Sequence, residues 1–357
     1  MSASPQQQSA YVAAVDTELA AFLAEQREVL AAISPDATAL ADRLSDLTRG
    51  GKRLRPLFAH WGARATGADG LSPELVRLGA ALELFQAAAL VHDDLIDHSD
   101  TRRGGPSVHR RFESTHREHA WDLDAADFGR AAAILAGDLA LSLSEQLFAS
   151  ISPTPRARSL FDAMRTQVMA GQYLDVLEEQ IGARRDPDAA VAAARTVVLF
   201  KSAKYSVEAP LLLGAAQAGA DEHLLAVLAE FGEPLGEAFQ LRDDELGVFG
   251  DPATTGKPAG DDLLEGKRTL LVALTRRDAD TAHAERLSER LGDPELGADE
   301  VDELRAIMTD SGAVDEHERI IERLTQEAFT VLDTADLPAD AREGLLSLGR
   351  SAVRRRA

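Results

Sequence analysis

The residues best placed to do chemistry are two acidic groups, each closing an apolar stretch. Asp93 and Asp97 stand four apart in Asp93-Asp94-Leu95-Ile96-Asp97, so on a helix both carboxylates project from one face, about 5–6 Å apart. Like charges there repel, and a hard divalent cation such as Mg²⁺ is a natural source of compensation. A helix end reaching solvent with ordinary surface acids is the competing reading. A second pair, Asp243-Asp244, closes another apolar stretch just after Phe239-Gln240. Two separated acidic helix ends can clamp one diphosphate through shared magnesium ions. The remaining phosphate oxygens then call for cations, and Gly50-Gly51-Lys52-Arg53-Leu54-Arg55-Pro56 and Arg102-Arg103-Gly104 supply them. Each basic run alone reads as a solvated face, whereas the combination points to a diphosphate.

The elements that must position these groups are helices. Aromatics are 5% of the chain, apolar residues recur at helical spacing, and no convincing period-two strand occurs, so the expected fold class is all-α. Ser72 is a good N-cap, Pro73 suits the first helical position and Glu74 the positive end of the dipole, which predicts a helix from about 73 to about 97. Gly104-Gly105-Pro106 breaks the chain, and 113–127 reads as a loop or short surface helix. Further helices are expected over 131–150, 159–181, 189–218 and 222–246. No linker or repeat divides the chain, so the expectation is a flexible N-terminal tail over 1–20 and one large helical domain over 21–357.

Sixty acidic against thirty-eight basic residues give the 357-residue chain a formal net charge of -22, which repels nucleic acid and anionic membrane surfaces. Cysteine is absent, excluding disulfides and thiolate chemistry. No uninterrupted apolar span approaches about 18 residues, and MSASPQQQ lacks the regions of a signal peptide. These features predict a cytoplasmic protein with no nucleic-acid partner and no stable membrane insertion. The nine histidines show no paired metal-ligand spacing, and Trp61 and Trp121 read as packing residues.

In motif order from about residue 45 to about residue 275, the chain resembles the polyprenyl synthetase family of trans-isoprenyl diphosphate synthases, and within it a bacterial geranylgeranyl diphosphate synthase. The family's DDxxD followed by RRG is present as Asp93-Asp94-Leu95-Ile96-Asp97 and Arg102-Arg103-Gly104, and its GGKRxRP as Gly50 to Pro56. The resemblance implies a single large helical bundle of the isoprenoid synthase type with a central active-site cavity. It implies magnesium, about three ions per site when diphosphate is bound, held by Asp93, Asp97 and Asp243, with Asp94 and Asp244 beside them. It implies that Lys52, Arg55, Gln86 and Arg103, with Arg53, bind isopentenyl diphosphate. Arg102, Lys201 with Ser202, Gln240, Lys257 and Lys267 would serve the allylic diphosphate, and Gln172 would lie near the reacting carbons. A homodimer is implied as well. One departure stands out: the second acidic motif of the family ends in a third Asp, and here that position is Gly247, with Asp251 out of register.

Residues four and eight before Asp93, Ala89 and Phe85, share its helix face below the diphosphate site. Ala88 and Ala89 leave the pocket open one turn down, and Phe85 lies a turn deeper. One turn of about 5.4 Å matches roughly one isoprene unit, so growth is expected to stop at geranylgeranyl diphosphate. Phe85 as ordinary core is the competing reading, with a farnesyl or longer product. A terpene cyclase of the same fold would need no isopentenyl diphosphate site, and Lys52, Arg55, Gln86 and Arg103 together argue against one. A non-catalytic partner subunit is favoured only by Gly247.

Overall fold

A computed structural model of the chain describes residues 3–250, 260–293 and 295–353; Lys257 and Asp251 lie outside them. The contacts divide into two compact units, one drawn from Met1–Arg158, Leu213–Ala220 and Pro338–Gly344, the other from Ser159–Leu212, Asp221–Leu337 and Leu345–Ala357.

The first unit opens with helices α1 (Ala3–Ile33), α2 (Thr38–Thr48), α3 (Leu54–Ala65) and α4 (Pro73–Ile96). A two-stranded antiparallel hairpin follows, β1 (Thr101–Arg102) with β2 (Gly105–Pro106), and then α5 (Val108–Glu118) and α6 (Ala125–Ser150). Helix α4 starts where its sequence says it should: the Ser72 hydroxyl accepts from the Leu75 amide at 3.3 Å, with Pro73 in the first turn. It is apolar and buried on almost every side, from Leu75 through Leu78, Leu82 and Phe85 to Val91. Such a helix belongs at the centre of its unit, and α1, α3 and α6 pack around it. Small residues on α6, Ala133, Ala136 and Ala140, are all fully buried and admit close approach, and the Ser144 hydroxyl donates to the Ala81 carbonyl at 2.7 Å.

The reading of residues 1–20 as a flexible tail is overturned. Tyr11, Val15 and Leu19 recur at helical spacing and are 0%, 0% and 2% exposed, and the Tyr11 hydroxyl donates to the Leu75 carbonyl at 2.8 Å. Burying three such side chains contributes about 1.5–3 kcal/mol each, enough to order the helix. The polar stretch 113–127 is likewise more structured than expected, because Val108, Phe112 and His116 give α5 a buried face.

Beyond these come α7 (Pro155–Ile181), α8 (Pro187–Val197), a π-helical segment over Val198–Glu208, α9 (Ala209–Gln217), α10 (Glu222–Phe249), α11 (Asp261–Glu265), α12 (Leu270–Asp278), α13 (Thr281–Arg290), α14 (Ala298–Asp310), α15 (Ala313–Thr334) and α16 (Ala339–Val353). In the second unit α10 packs against the π-helical segment and α15, burying Leu228, Phe231, Leu235 and Ala238 completely. The single helix expected over 189–218 is therefore three pieces. The Ala209 amide reaches back five residues to the Lys204 carbonyl, the hydrogen-bond step of a π-helix.

Among the described residues two helices, α4 and α6, are long and apolar enough by averaged hydropathy to cross a membrane, although neither contains an uninterrupted apolar run of about 18 residues. In α4, 72% of the tested stretch is buried inside the protein, and in α6 44%.

Candidate active site

In the first unit the C-terminal end of α4 carries the first acidic motif, and its members divide by face. Asp93 and Asp97 are partly exposed, while Asp94, one residue round the helix, is 1% exposed. The Arg102 guanidinium donates to Asp94 through Nε at 2.7 Å and lies 3.8 Å from Asp93. Asp94 thus anchors an arginine from the buried side of the helix.

Arg102 is held by the hairpin. Arg103 and Gly104 form its two-residue turn, with φ of 54° and 74°, the paired left-handed conformation that a right-twisted hairpin prefers. Glycine adopts it freely, and for Arg103 it is uncommon. The turn delivers Arg103 to the Leu47 carbonyl, Nη1 to O at 2.7 Å, with its guanidinium 3.4 Å from where a side chain on Gly51 would begin. Burial first, and then the charges of Arg53, Arg102 and Arg55, pull the Arg103 guanidinium below its usual range, opposed by Glu83. The arginines of both basic runs therefore converge. Lys52 is exposed and Arg55 and Gln86 are partly exposed.

Arg53 differs from its neighbours in being held by the fold. Its side chain is 3% exposed, donating from Nε to Asp16 at 2.7 Å, from Nη1 to Glu83 at 2.5 Å and from Nη2 to the Thr48 carbonyl at 2.6 Å. All of its donor directions are turned into the fold.

In the second unit the same division by face recurs on α10. Asp243 is exposed, whereas Asp244 is 9% exposed and accepts from Gln240 Nε2 at 2.7 Å. Burial, and next the Asp262 carboxylate, push Asp244 well above the usual carboxylate range, with Asp243 adding to the effect and Gln240 and Lys267 opposing it. Lys267 lies 2.9 Å from Glu265. Lys201 Nζ lies 2.5 Å from Asp175 on α7, and Ser202 and Gln172 are partly exposed. Asp175 closes Gly171-Gln172-Tyr173-Leu174-Asp175, and only tertiary packing brings it to Lys201.

Gly247 has a structural reason. A side chain there would begin 2.0 Å from Asp262 Oδ2 and 2.5 Å from its Cγ. The Asp262 carboxyl group fills the space that a third aspartate of the motif would need. Nothing in the local spacing marks Asp262, fifteen residues on; the only signal is the glycine. Among the described residues no three acidic or histidine side chains close into a complete metal cage. Asp93 and Asp97, partly exposed at the end of α4, are hard-oxygen donors of the kind that hold Mg²⁺ together with substrate phosphates.

On α15, His317 is 1% exposed, and neither ring nitrogen has a hydrogen-bond partner among the described residues. Burial first, and then Arg242, lower its pKa from 6.5 to about 4. Arg242 precedes Asp243 and donates to Glu318 at 2.8 Å. A folded-state pKa below the unfolded one means the unfolded chain binds the proton first. This histidine's contribution is complete above about pH 6.5 and is lost as pH falls to about 4, by about 3 kcal/mol. Thermal midpoints of His317→Leu measured across that window are expected to fall less steeply on acidification than those of the parent; parallel curves would remove His317 from the account.

An all-α fold carrying acidic helix ends and clustered guanidinium groups describes an enzyme that handles a polyanion with a divalent metal. The chain belongs to the polyprenyl synthetase family, whose model matches residues 37–308, and it is a prenyltransferase with the isoprenoid synthase fold. It is 33% identical to geranylfarnesyl diphosphate synthase of Aeropyrum pernix over 77% of this chain and 82% of that one. It is 31% identical to octaprenyl diphosphate synthase of Haemophilus influenzae, covering 86% of this chain and 85% of that one. Among solved structures, geranylgeranyl pyrophosphate synthase from Corynebacterium glutamicum, complexed with isoprenyl diphosphate and magnesium, superposes with a TM-score of 0.91 at 37% identity over 97% of this chain and 99% of that one. The family is magnesium-dependent and uses isopentenyl and allylic diphosphates.

Proposed function

We propose that this chain condenses isopentenyl diphosphate with dimethylallyl, geranyl and farnesyl diphosphates and releases mainly geranylgeranyl diphosphate. The observation that carries the reading is the convergence of Arg102 and Arg55 on Arg103, close enough that their charges add to burial in loosening the Arg103 proton, beside the acidic end of α4. Cations crowded in this way are relieved by a polyanion.

Breaking the allylic carbon–oxygen bond leaves negative charge on the departing diphosphate and a delocalised cation on the chain. Lys201, Arg102 and Lys257 neutralise the departing group, and Gln240 and Lys267 help seat it. Lys52, Arg55, Gln86 and Arg103 hold isopentenyl diphosphate so that its double bond meets the cation, and the proton lost afterwards goes to the released diphosphate. Magnesium, held by Asp93, Asp97 and Asp243, supplies positive charge at the leaving group. In this reading Asp94 and Asp244 act one step back, by holding Arg102 and Gln240.

Relatives named for geranylfarnesyl and octaprenyl products make chain length the finer question. Phe85 is 1% exposed and Ala88 fully buried, while Ala89 is partly exposed, so the open position lies one turn below Asp93 and the bulky one two turns below. With labelled isopentenyl diphosphate, Mg²⁺ and each starter in turn, the parent enzyme is expected to give geranylgeranyl diphosphate that disappears with chelator. Phe85→Ala is expected to extend the product by at least one isoprene unit. An unchanged product would place the floor elsewhere, and no condensation with any starter would sink the elongation reading.

The proposal extends to a cytoplasmic homodimer. Phe128, Ile134 and Leu135 of α6 are 37%, 50% and 59% exposed, an apolar face suited to a second copy.

A further inference from the structure

Three backbone surfaces meet in the second unit with almost no side chain between them. A Cβ on Gly171 of α7 would lie 2.3 Å from the Lys201 amide nitrogen and 2.5 Å from the Phe200 carbonyl carbon. From α10, a Cβ on Gly236 would lie 2.4 Å from the Ala203 carbonyl oxygen. All three contacted residues belong to the π-helical segment Val198–Glu208. Its wider turn pushes backbone outward, and glycine on both flanks leaves room for that bulge.

The wide turn also redirects the lysines. In an α-helix, residues three apart such as Lys201 and Lys204 lie on one face. Here Lys201 pairs with Asp175 on α7, four residues beyond Gly171. Lys204 pairs with Glu233 on α10 and with Glu208 at 2.7 Å. Each lysine therefore answers to a different neighbouring helix.

We propose that Gly171 and Gly236 are positioning residues for the allylic diphosphate: by seating the π-helical backbone directly on α7 and α10 they fix the height and direction of Lys201 Nζ. The inference rests on the reading that Lys201 binds that diphosphate. A methyl group at either glycine must displace the backbone at 200–203 by about 1 Å to reach ordinary contact, and a displacement of that size at a charge-bearing group costs up to about 100-fold in rate.

The test is steady-state kinetics on Gly171→Ala, Gly236→Ala, Lys201→Gln and the two glycine variants combined with Lys201→Gln, with Gly232→Ala as control. A Cβ on Gly232 meets Glu208 at the far end of the segment, with Cα at 3.0 Å, Cβ at 3.4 Å and the amide nitrogen at 3.5 Å, a milder approach that is expected to keep the rate within about twofold. Gly171→Ala and Gly236→Ala are each expected to lower kcat/KM for the allylic substrate by about 10- to 100-fold, leaving KM for isopentenyl diphosphate within twofold. In the Lys201→Gln background the same substitutions are expected to cost little more, because what they misplace is already gone. Full additivity with Lys201→Gln, or silent glycine variants, overturns the proposal while leaving the role of Lys201 intact. A silent Lys201→Gln overturns the underlying reading instead. Failure of both glycine variants to fold while Gly232→Ala folds makes the glycines scaffolding only and counts against the proposal.

Discussion

Replacing Arg53 by alanine is expected to lower the thermal midpoint by on the order of 10 °C while leaving KM for isopentenyl diphosphate within about twofold in the protein that remains folded. Removing one partner of a buried, hydrogen-bonded ion pair costs about 3–5 kcal/mol, because the other charge stays behind. For Arg53 that other charge is Glu83, 5% exposed and 2.5 Å away, and the Thr48 carbonyl loses its donor as well. In a chain of this size each kcal/mol shifts the midpoint by roughly 2–4 °C. The measurement is a calorimetric melt beside substrate titrations. A midpoint that hardly moves, with KM raised tenfold or more, would return Arg53 to the substrate site.

Writing the third aspartate back into the second acidic motif, as Gly247→Asp, is expected to harm this enzyme. The new Cβ would fall 2.0 Å from the Asp262 carboxylate, so Asp262 must turn away, and such overpacking costs about 1–3 kcal/mol. The added charge also enters a region where burial, and next Asp262 and Asp243, already hold Asp244 above the usual carboxylate range. The loss is expected to show as a lower thermal midpoint in metal-free buffer, part of which is recovered when Mg²⁺ neutralises the crowded carboxylates. Gly247→Ala should show the loss of stability with little change in metal dependence. A Gly247→Asp protein that melts no earlier would mean that Asp262 yields the space freely.

These cases show what the sequence discloses. Asp93, Asp97 and the α4 cap at Ser72 were legible because helical period and capping chemistry are local, and the four-residue spacing fixes which carboxylates share a face. Arg53 was not, since its partners Asp16 and Glu83 lie 37 and 30 residues away and only tertiary packing brings them together. The same holds for Asp262 and Gly247. The π-helical segment escaped for a different reason: within eleven residues a wider turn drifts too little from the α period to disturb the apolar pattern of 189–218. The stripe Tyr11, Val15, Leu19 was present in the sequence, but the polar start beside it gave the segment the composition of a tail.

The burial of α1 has a consequence in time. Its tyrosine hydroxyl bonds a carbonyl 64 residues further along, and Asp16 waits for an arginine 37 residues on. At about 5–20 residues per second, the ribosome needs roughly 3–13 s to make the stretch that covers the first contact. During that interval α1 has α2 and then α3 to pack against but not α4, so the Tyr11 hydroxyl stays without its acceptor, and a chaperone that shields the incomplete face should raise the yield of native enzyme.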